Sequence, residues 1–202
     1  MDSQSNPTPQ IEDIYFVFVD SIDVAKVNLF MSIIVQAVLP HSPKRLHVLI
    51  SSPGGDVSAG IALYNYLRAL PIEVLTYNIG MVASIANVIF MAADAKNRFA
   101  CPHTSFLFHG VKAGLGPVQM DLAQVRELES NLKRDQERIS EVYQQGTSLT
   151  EEKIEELFKQ GEIRDLNSAV QDGIIDSVKR LQLPQNAHQI VFAVNLSYVR
   201  PG

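Results

Sequence analysis

A serine at a strand-to-helix corner is the first candidate for chemistry in this chain. Ser84 follows an apolar segment that predicts a strand, Ile72–Tyr77, and precedes one that predicts a helix, Val88–Ala93. A hydroxyl group in this position can act as a nucleophile. The first N–H groups of the following helix lack intrahelical partners, so they can stabilise negative charge that develops on a substrate.

A histidine and a glycine pair follow two other predicted strands. His109 ends the apolar strand Thr104–Phe108 and supplies the base that a serine nucleophile needs. Gly54 and Gly55 follow the strand Leu46–Ile50, and glycines let the main chain approach a ligand closely. Each motif alone has a simpler interpretation, as a helix cap, a strand-end histidine or a turn. Their shared position at the carboxyl ends of strands favours a common site.

The three motifs together resemble the proteolytic subunit of the Clp protease family (ClpP), within the fold group that includes crotonases. The matching segments are Ser52-Pro53-Gly54-Gly55, Gly80-Met81-Val82-Ala83-Ser84 and Arg98-Phe99-Ala100-Cys101-Pro102, the last followed by His109. The similarity runs from about Tyr15 to Val178, which is most of the chain.

The resemblance implies a serine endopeptidase that hydrolyses peptide bonds of unfolded proteins or peptides inside a ring-shaped oligomer. Ser84 would be the nucleophile, His109 the general base, and the N–H groups of Gly55 and Ile85 the oxyanion hole. The resemblance also implies a homo-oligomer of stacked heptameric rings and a AAA+ unfoldase as a partner. It implies no cofactor and no metal.

The third member of the family's Ser-His-Asp triad is the main departure from the pattern. Counting back from Gly173 places Gly161 where the family has the aspartate. Asp165 then stands at the start of a short predicted helix, where a carboxylate is also a normal cap. We predict Asp165 as the third member, with Glu162 as a weaker substitute. A Ser-His dyad and an inactive enzyme are the alternatives.

The alternation of strand and helix signals predicts an α/β fold. Ile14–Val19 and Arg45–Ser51 are predicted strands, whereas Val24–Leu39 and Asp56–Leu70 are predicted helices. Each strand-helix-strand unit implies a parallel pair with a right-handed crossover. Its repetition predicts the ClpP/crotonase-like ββα spiral that the resemblance also implies.

Two further segments extend this domain. The apolar periodicity of Val118–Gln145 predicts a long projecting helix that needs a partner, which in the family is the handle that joins two rings. Residues 188–199 predict an extra C-terminal strand. We therefore predict a flexible segment at residues 1–13, where the family has the axial loops that meet the unfoldase, and a single peptidase domain at residues 14–202.

Composition is that of an ordinary globular domain. The chain has 202 residues, 46% of them hydrophobic, and a net charge of −5, which argues against a nucleic-acid partner. Cys101 is the one cysteine, and the five histidines lack metal-site spacing. Since neither a signal peptide nor about 18 consecutive uncharged apolar residues is evident, we expect a cytoplasmic protein without a membrane partner.

Other functional classes share parts of this pattern. A catalytically impaired ClpP-like ring subunit or adaptor would keep the fold and the handle helix, and Gly161 fits such a loss of the triad. A crotonase-like acyl-CoA enzyme would use similar oxyanion donors without needing a Ser-His pair. A membrane-bound Ser-Lys signal-peptide peptidase is disfavoured because no membrane anchor is predicted.

Overall fold

A computed structural model describes residues 11–112, 114 and 119–193 of the chain. The strands are β1 (Asp13–Val19), β2 (Arg45–Ser52), β3 (Glu73–Ala83), β4 (Arg98–Ala100), β5 (Ser105–Leu107), β6 (Ile163–Arg164), β7 (Ser177–Val178) and β8 (His188–Val191). The α-helices are α1 (Val24–Ile33), α2 (Val57–Arg68), α3 (Ile85–Phe90), α4 (Leu122–Gly146), α5 (Glu151–Gln160) and α6 (Leu166–Gln171).

The described strands form one mixed sheet in which parallel pairing dominates. The strand order is β6-β5-β3-β2-β1-β8, and β4 pairs with both β3 and β7. All of these pairs are parallel except β5 with β6. Because β1, β2 and β3 are joined through α1 and α2, the predicted strand-helix-strand units and the α/β fold are confirmed.

The core lies between this sheet and helices α1 to α3. Strands β1 and β2 are buried along most of their length, and their middle residues are mainly apolar, as expected of parallel strands covered on both faces. The largest fully buried side chains are Tyr143, Phe16, Phe30, Phe90, Phe106 and Phe108. The core extends to the carboxyl end of β5 through Phe106, Phe108 and Tyr143. Their close packing holds the chain in place where it leaves that strand.

The first helix runs further than a simple α-helix. After α1 the chain continues as a π-helical segment, Ile34–Val38, and a short 3₁₀ turn, Leu39–His41. By length and composition alone this run, Val24–His41, is able to cross a membrane, although the sequence pattern predicted no such segment. One face of the run packs in the core through Val27, Phe30 and Ile34, whereas 22% of the run as a whole is buried.

The long helix and the C-terminal strand are both present. Helix α4 begins at Leu122, because Asp121 and Gln124 form a capping box there, and its 25 residues span about 40 Å. The predicted start at Val118 lies outside the described residues. Strand β8 pairs with β1, and the following Phe192 is buried beside Phe16 and Phe18. The predicted strand residues beyond 193 also lie outside the described part.

Candidate active site

Ser84 stands at the corner between β3 and α3. Its backbone has φ 57° and ψ −131°, a conformation that non-glycine residues rarely adopt and that is frequent at functional sites. Its N–H donates to the carbonyl of Leu107 at 3.0 Å, which ties the corner to the end of β5. The side chain makes no capping hydrogen bond to α3. Within the part of the chain that the structure describes, the hydroxyl is therefore not used as a helix cap.

His109 follows β5 by two residues and has a defined tautomer. Its Nδ1 lies 2.8 Å from the carbonyl oxygen of Gly110. A carbonyl oxygen can only accept, so Nδ1 carries the hydrogen and donates it. The neutral ring then has its lone pair on Nε2, which is the nitrogen able to accept a proton from a nucleophile.

One cavity brings the predicted catalytic groups together. Ser84, His109 and Gly55 all line a space of about 210 Å³. The rest of its described lining consists of Pro53, Val57, Val111, Lys112, Ile139 and Tyr143. The structure therefore gathers residues from the ends of β2, β3 and β5 at one site, as the position of their motifs predicts.

The glycine turn after β2 packs directly against the Ser84 corner. Gly54 and Gly55 have positive φ values of 91° and 152°. A Cβ atom at Gly54 would lie 2.7 Å from the Cβ of Ser84, and one at Gly55 would overlap the carbonyl oxygen of Ile22. Neither position has room for a side chain, so the two glycines are required for the main chain to reach the site.

We expect Gly55→Ala to destabilise the fold by about 1–3 kcal/mol or more, since overpacking and backbone strain both act there. Gly114→Ala is the matched control, because no atom of the described residues lies within 4 Å of a Cβ at Gly114. Chemical denaturation of both variants measures the difference. Equal unfolding free energies would show that the backbone at Gly55 relaxes freely, contrary to the packing described.

Two backbone N–H groups beside the Ser84 corner have no hydrogen-bond partner among the described residues. Within the described residues, neither the N–H of Gly55 nor that of Ile85 donates to another protein group. Ile85 is the first residue of α3, where free N–H groups are normal. Both residues adjoin the Ser84 corner, since a Cβ at Gly54 would lie 3.3 Å from the Ile85 nitrogen. These two N–H groups remain the candidate oxyanion hole.

Two buried polar residues near the corner were not singled out from the sequence. Tyr143 is fully buried, and its hydroxyl donates to the Ser84 carbonyl at 3.4 Å. Burial raises the pKa of Tyr143, so the phenol stays protonated. Asn87 donates its Nδ2 hydrogen to the Leu107 carbonyl at 2.9 Å. The one available signal was the place of Tyr143 one turn after Ile139 on the apolar stripe of α4.

Asp165 does not lie beside His109. Its carboxylate accepts the N–H of Ser168 at 2.8 Å and caps α6, and this hydrogen bond lowers the pKa of Asp165. Glu162 is also engaged elsewhere, because Arg164 donates to it at 2.7 Å. Among the described residues, neither carboxylate forms a hydrogen bond with His109, so the role predicted for Asp165 or Glu162 stays a prediction without a contact to support it. The physical reason is that helix capping gives Asp165 a local partner.

Gly161 is the residue that faces His109. Strands β5 and β6 are antiparallel, with Leu107 opposite Ile163, so continuing the ladder by two residues places His109 opposite Gly161. A Cβ at Gly161 would lie 3.9 Å from the Cβ of His109. Gly161 ends α5 in the left-handed conformation, with φ 66°. The position that the sequence count assigned to the missing aspartate thus adjoins the histidine but has no side chain.

The fold and the site together define a class: an α/β protein with the residue set of a serine hydrolase at the carboxyl ends of parallel strands. A profile of the Clp protease family matches residues 10–182. The chain therefore belongs to the Clp protease family, and the resemblance deduced from its motifs is confirmed.

Individual relatives agree with this membership. The ATP-dependent Clp protease proteolytic subunit of Paracoccus denitrificans is 29% identical over 144 residues, which cover 71% of each chain. That of Bdellovibrio bacteriovorus is 26% identical over 135 residues, which cover 67% of this chain and 64% of the relative. The match thus spans about two thirds of these relatives' own lengths.

A solved structure of a ClpP1 variant from Listeria monocytogenes supports the fold assignment. It superposes with a TM-score of 0.70 at 21% identity, covering 83% of this chain and 92% of that one. At this identity the likeness shows the fold alone, and it confirms the predicted ClpP/crotonase-like architecture.

Proposed function

We propose that this chain is a serine-type endopeptidase that hydrolyses peptide bonds of peptides or unfolded proteins. The observation that carries the proposal is the shared cavity of Ser84, His109 and Gly55, in which no described residue hydrogen-bonds to the basic Nε2 of His109. Membership of the Clp protease family supports the same reaction.

The proposed reaction uses only groups of the protein, the peptide and water. Ser84 Oγ attacks the carbonyl carbon while His109 Nε2 takes its proton, and the N–H groups of Gly55 and Ile85 stabilise the oxyanion. The C–N bond then breaks, and the leaving amine receives the proton from His109. Water, deprotonated by His109, attacks the acyl-enzyme; the carboxylic acid leaves and the Ser84 hydroxyl is restored.

The direct test is hydrolysis of short fluorogenic peptides by the purified protein. We expect steady turnover of these peptides, because the nucleophile, its base and the glycine donor line one cavity. A protein that is folded and oligomeric yet cleaves neither these peptides nor an unfolded protein would refute the proposed activity.

The histidine in this site works without a carboxylate from Asp165. The Gly110 carbonyl fixes the ring tautomer, which is one task of the triad aspartate. A neutral carbonyl stabilises the imidazolium less than a negative carboxylate does. We therefore propose a Ser84–His109 dyad as the catalytic unit, with lower turnover than a complete triad would give.

A carboxylate at position 161 should raise the activity. In serine proteases with a complete triad, exchanging the triad aspartate for asparagine lowers kcat by about 10⁴-fold. We therefore expect Gly161→Asp to raise kcat by about tenfold or more. Gly161→Asn is the matched control, because aspartate and asparagine both tolerate the left-handed backbone but asparagine carries no charge. Peptide turnover, compared at equal folded concentration, checks the expectation.

Two outcomes would contradict the account of this position. If both variants fold and Gly161→Asp is no faster than Gly161→Asn, a charge at this position does not act on His109. Asp165→Asn is a second control, since asparagine caps a helix as well as aspartate does. A large loss of turnover in folded Asp165→Asn would restore Asp165 to the site.

A catalytically impaired ring subunit remains the second candidate, because Gly161 leaves His109 without a facing carboxylate. Such a subunit would assemble normally and would show little turnover of its own. The Gly161→Asp variant distinguishes the impaired subunit from an active peptidase. If the wild type hydrolyses no peptide but Gly161→Asp does, the site has lost only its third triad member.

We further propose a homo-oligomer of stacked rings, joined through α4. The first half of this helix is exposed although it carries an apolar stripe: Leu122 is 65% and Val125 46% exposed. Ile139 and Tyr143, in the second half, are the buried residues of the helix. A second copy of the helix would cover the exposed stripe, as coiled-coil-like packing requires. We extend to this oligomer the AAA+ unfoldase partner and the heptameric ring that the family resemblance implies.

A further inference from the structure

The turn between β1 and α1 holds the glycine pair of the candidate site. Ile22, in the middle of this turn, donates its N–H to the Gly54 carbonyl at 2.8 Å. Its own carbonyl accepts the N–H of Asp56 at 2.9 Å. The main chain of Ile22 therefore holds the chain on both sides of Gly55, in an isolated parallel bridge.

This bridge determines where the Gly55 N–H points. The Gly54 carbonyl and the Gly55 N–H belong to the same planar trans peptide, so they point in opposite directions. Fixing the Gly54 carbonyl on Ile22 turns the Gly55 N–H away from Ile22. Gly54 is packed against Ser84, and Gly55 lines the cavity that holds Ser84, so the peptide group between the two glycines adjoins the nucleophile. The oxyanion donor is therefore oriented indirectly, by the turn.

Lys26 is the residue that ties the turn together. Its ammonium lies 2.7 Å from Asp20 Oδ1, 2.6 Å from Ser21 Oγ and 3.3 Å from Asp23 Oδ2. Asp23 also caps α1 by accepting the Lys26 N–H at 2.8 Å. The Lys26 side chain is only 16% exposed. One cation thus contacts the residues on both sides of Ile22.

These contacts keep both partners charged at neutral pH. The hydrogen bond with Lys26 lowers the pKa of Asp20, and the hydrogen bond with Asp20 raises the pKa of Lys26. A single exposed ion pair contributes little to stability. Here one ammonium contacts three oxygens of one short turn, so we expect these contacts to restrict the conformation of the turn more than they raise the stability of the fold.

We propose that Lys26 is a positioning residue for the oxyanion hole, acting through Ile22 on the peptide group between Gly54 and Gly55. The proposal rests on the proposed peptidase function. Lys26 does not touch the substrate; it limits the movement of the turn that orients one donor. Such a donor acts mainly on the transition state, so loosening it should lower kcat and leave KM nearly unchanged.

The test compares Lys26→Met, which keeps the length of the side chain but removes its charge, with Lys26→Arg. Loss of a whole oxyanion donor costs about 10²–10³ in kcat, so we expect Lys26→Met to lose about tenfold or more, with KM within about twofold. Lys26→Arg should recover most of the loss. Lys159→Met is the matched control, since it removes an exposed ion pair with Glu155 on α5.

Hydrogen exchange supplies a readout that does not depend on activity. In Lys26→Met the amides of Ile22 and Asp56 should exchange faster, whereas amides of β1 and β2 should not change. Unchanged exchange at these two amides, or unchanged kcat in an active wild type, would overturn the proposal. If the wild type itself hydrolyses no peptide, the peptidase function fails, while exchange still decides whether Lys26 holds the turn.

Discussion

Ser84→Ala should abolish peptide hydrolysis while leaving the fold intact. In a serine protease, removal of the nucleophile lowers kcat by about 10⁶-fold, which for this dyad means no turnover above background. The Ser84 side chain makes no capping bond, so its Oγ contributes little to stability. We expect the melting temperature to stay within a few degrees of the wild type. Peptide hydrolysis and thermal unfolding of the same preparation measure both effects.

Ser42→Ala provides the matched control for this variant. Ser42, like Ser84, has a positive φ, in its case 46°. It is exposed and precedes the N-terminal end of β2, whereas the candidate site lies at the carboxyl end of that strand. The same chemical change at another serine with a positive φ should leave turnover unchanged. Residual hydrolysis in Ser84→Ala close to that of Ser42→Ala would assign the reaction to another residue.

Replacing Leu128 and Leu132 by Asp should split the oligomer into smaller rings or single chains. Both residues lie on the partly exposed apolar stripe of α4, away from the buried Ile139 and Tyr143. A carboxylate buried in the interface between two such helices would be strongly unfavourable, because burial penalises an unpaired charge. Light scattering coupled to size-exclusion chromatography gives the mass of the particle.

Ser130→Asp with Asn131→Asp adds the same charge to the same helix as a control. Both positions are exposed and lie off the apolar stripe, so the particle should keep its mass. A wild-type protein that is a monomer at micromolar concentration would contradict the ring proposal. So would equal dissociation of the control variant, which would indicate general repulsion instead of a specific contact.

The local pattern of the sequence was sufficient to place the serine and the histidine. Ser84 and His109 follow apolar strands, and parallel strands bring their carboxyl ends to one edge. The glycine pair was recognisable as a turn. Its packing against Ile22 and Ser84 depends on tertiary contacts, so local pattern could not predict it.

The third triad member shows the limit of reasoning from residue type. Asp165 had the right chemistry and nearly the right position, but its carboxylate serves α6 as a cap. Counting from Gly173 gave the correct neighbour of His109, namely Gly161, which lies opposite the histidine when the β5–β6 register is continued. The sequence pattern could not predict the contacts of Tyr143 and Lys26, because each side chain binds residues outside its own helix.

Ser84 is proposed to be an activated nucleophile, and covalent labelling by a fluorophosphonate tests this most directly. Intact mass spectrometry of the wild type should show one adduct per chain, and peptide mapping should place it on Ser84. His109→Ala should slow the labelling strongly, because the serine then lacks its base. Labelling of Ser84→Ala to the same extent as the wild type, or no labelling of a folded wild type, would contradict the account.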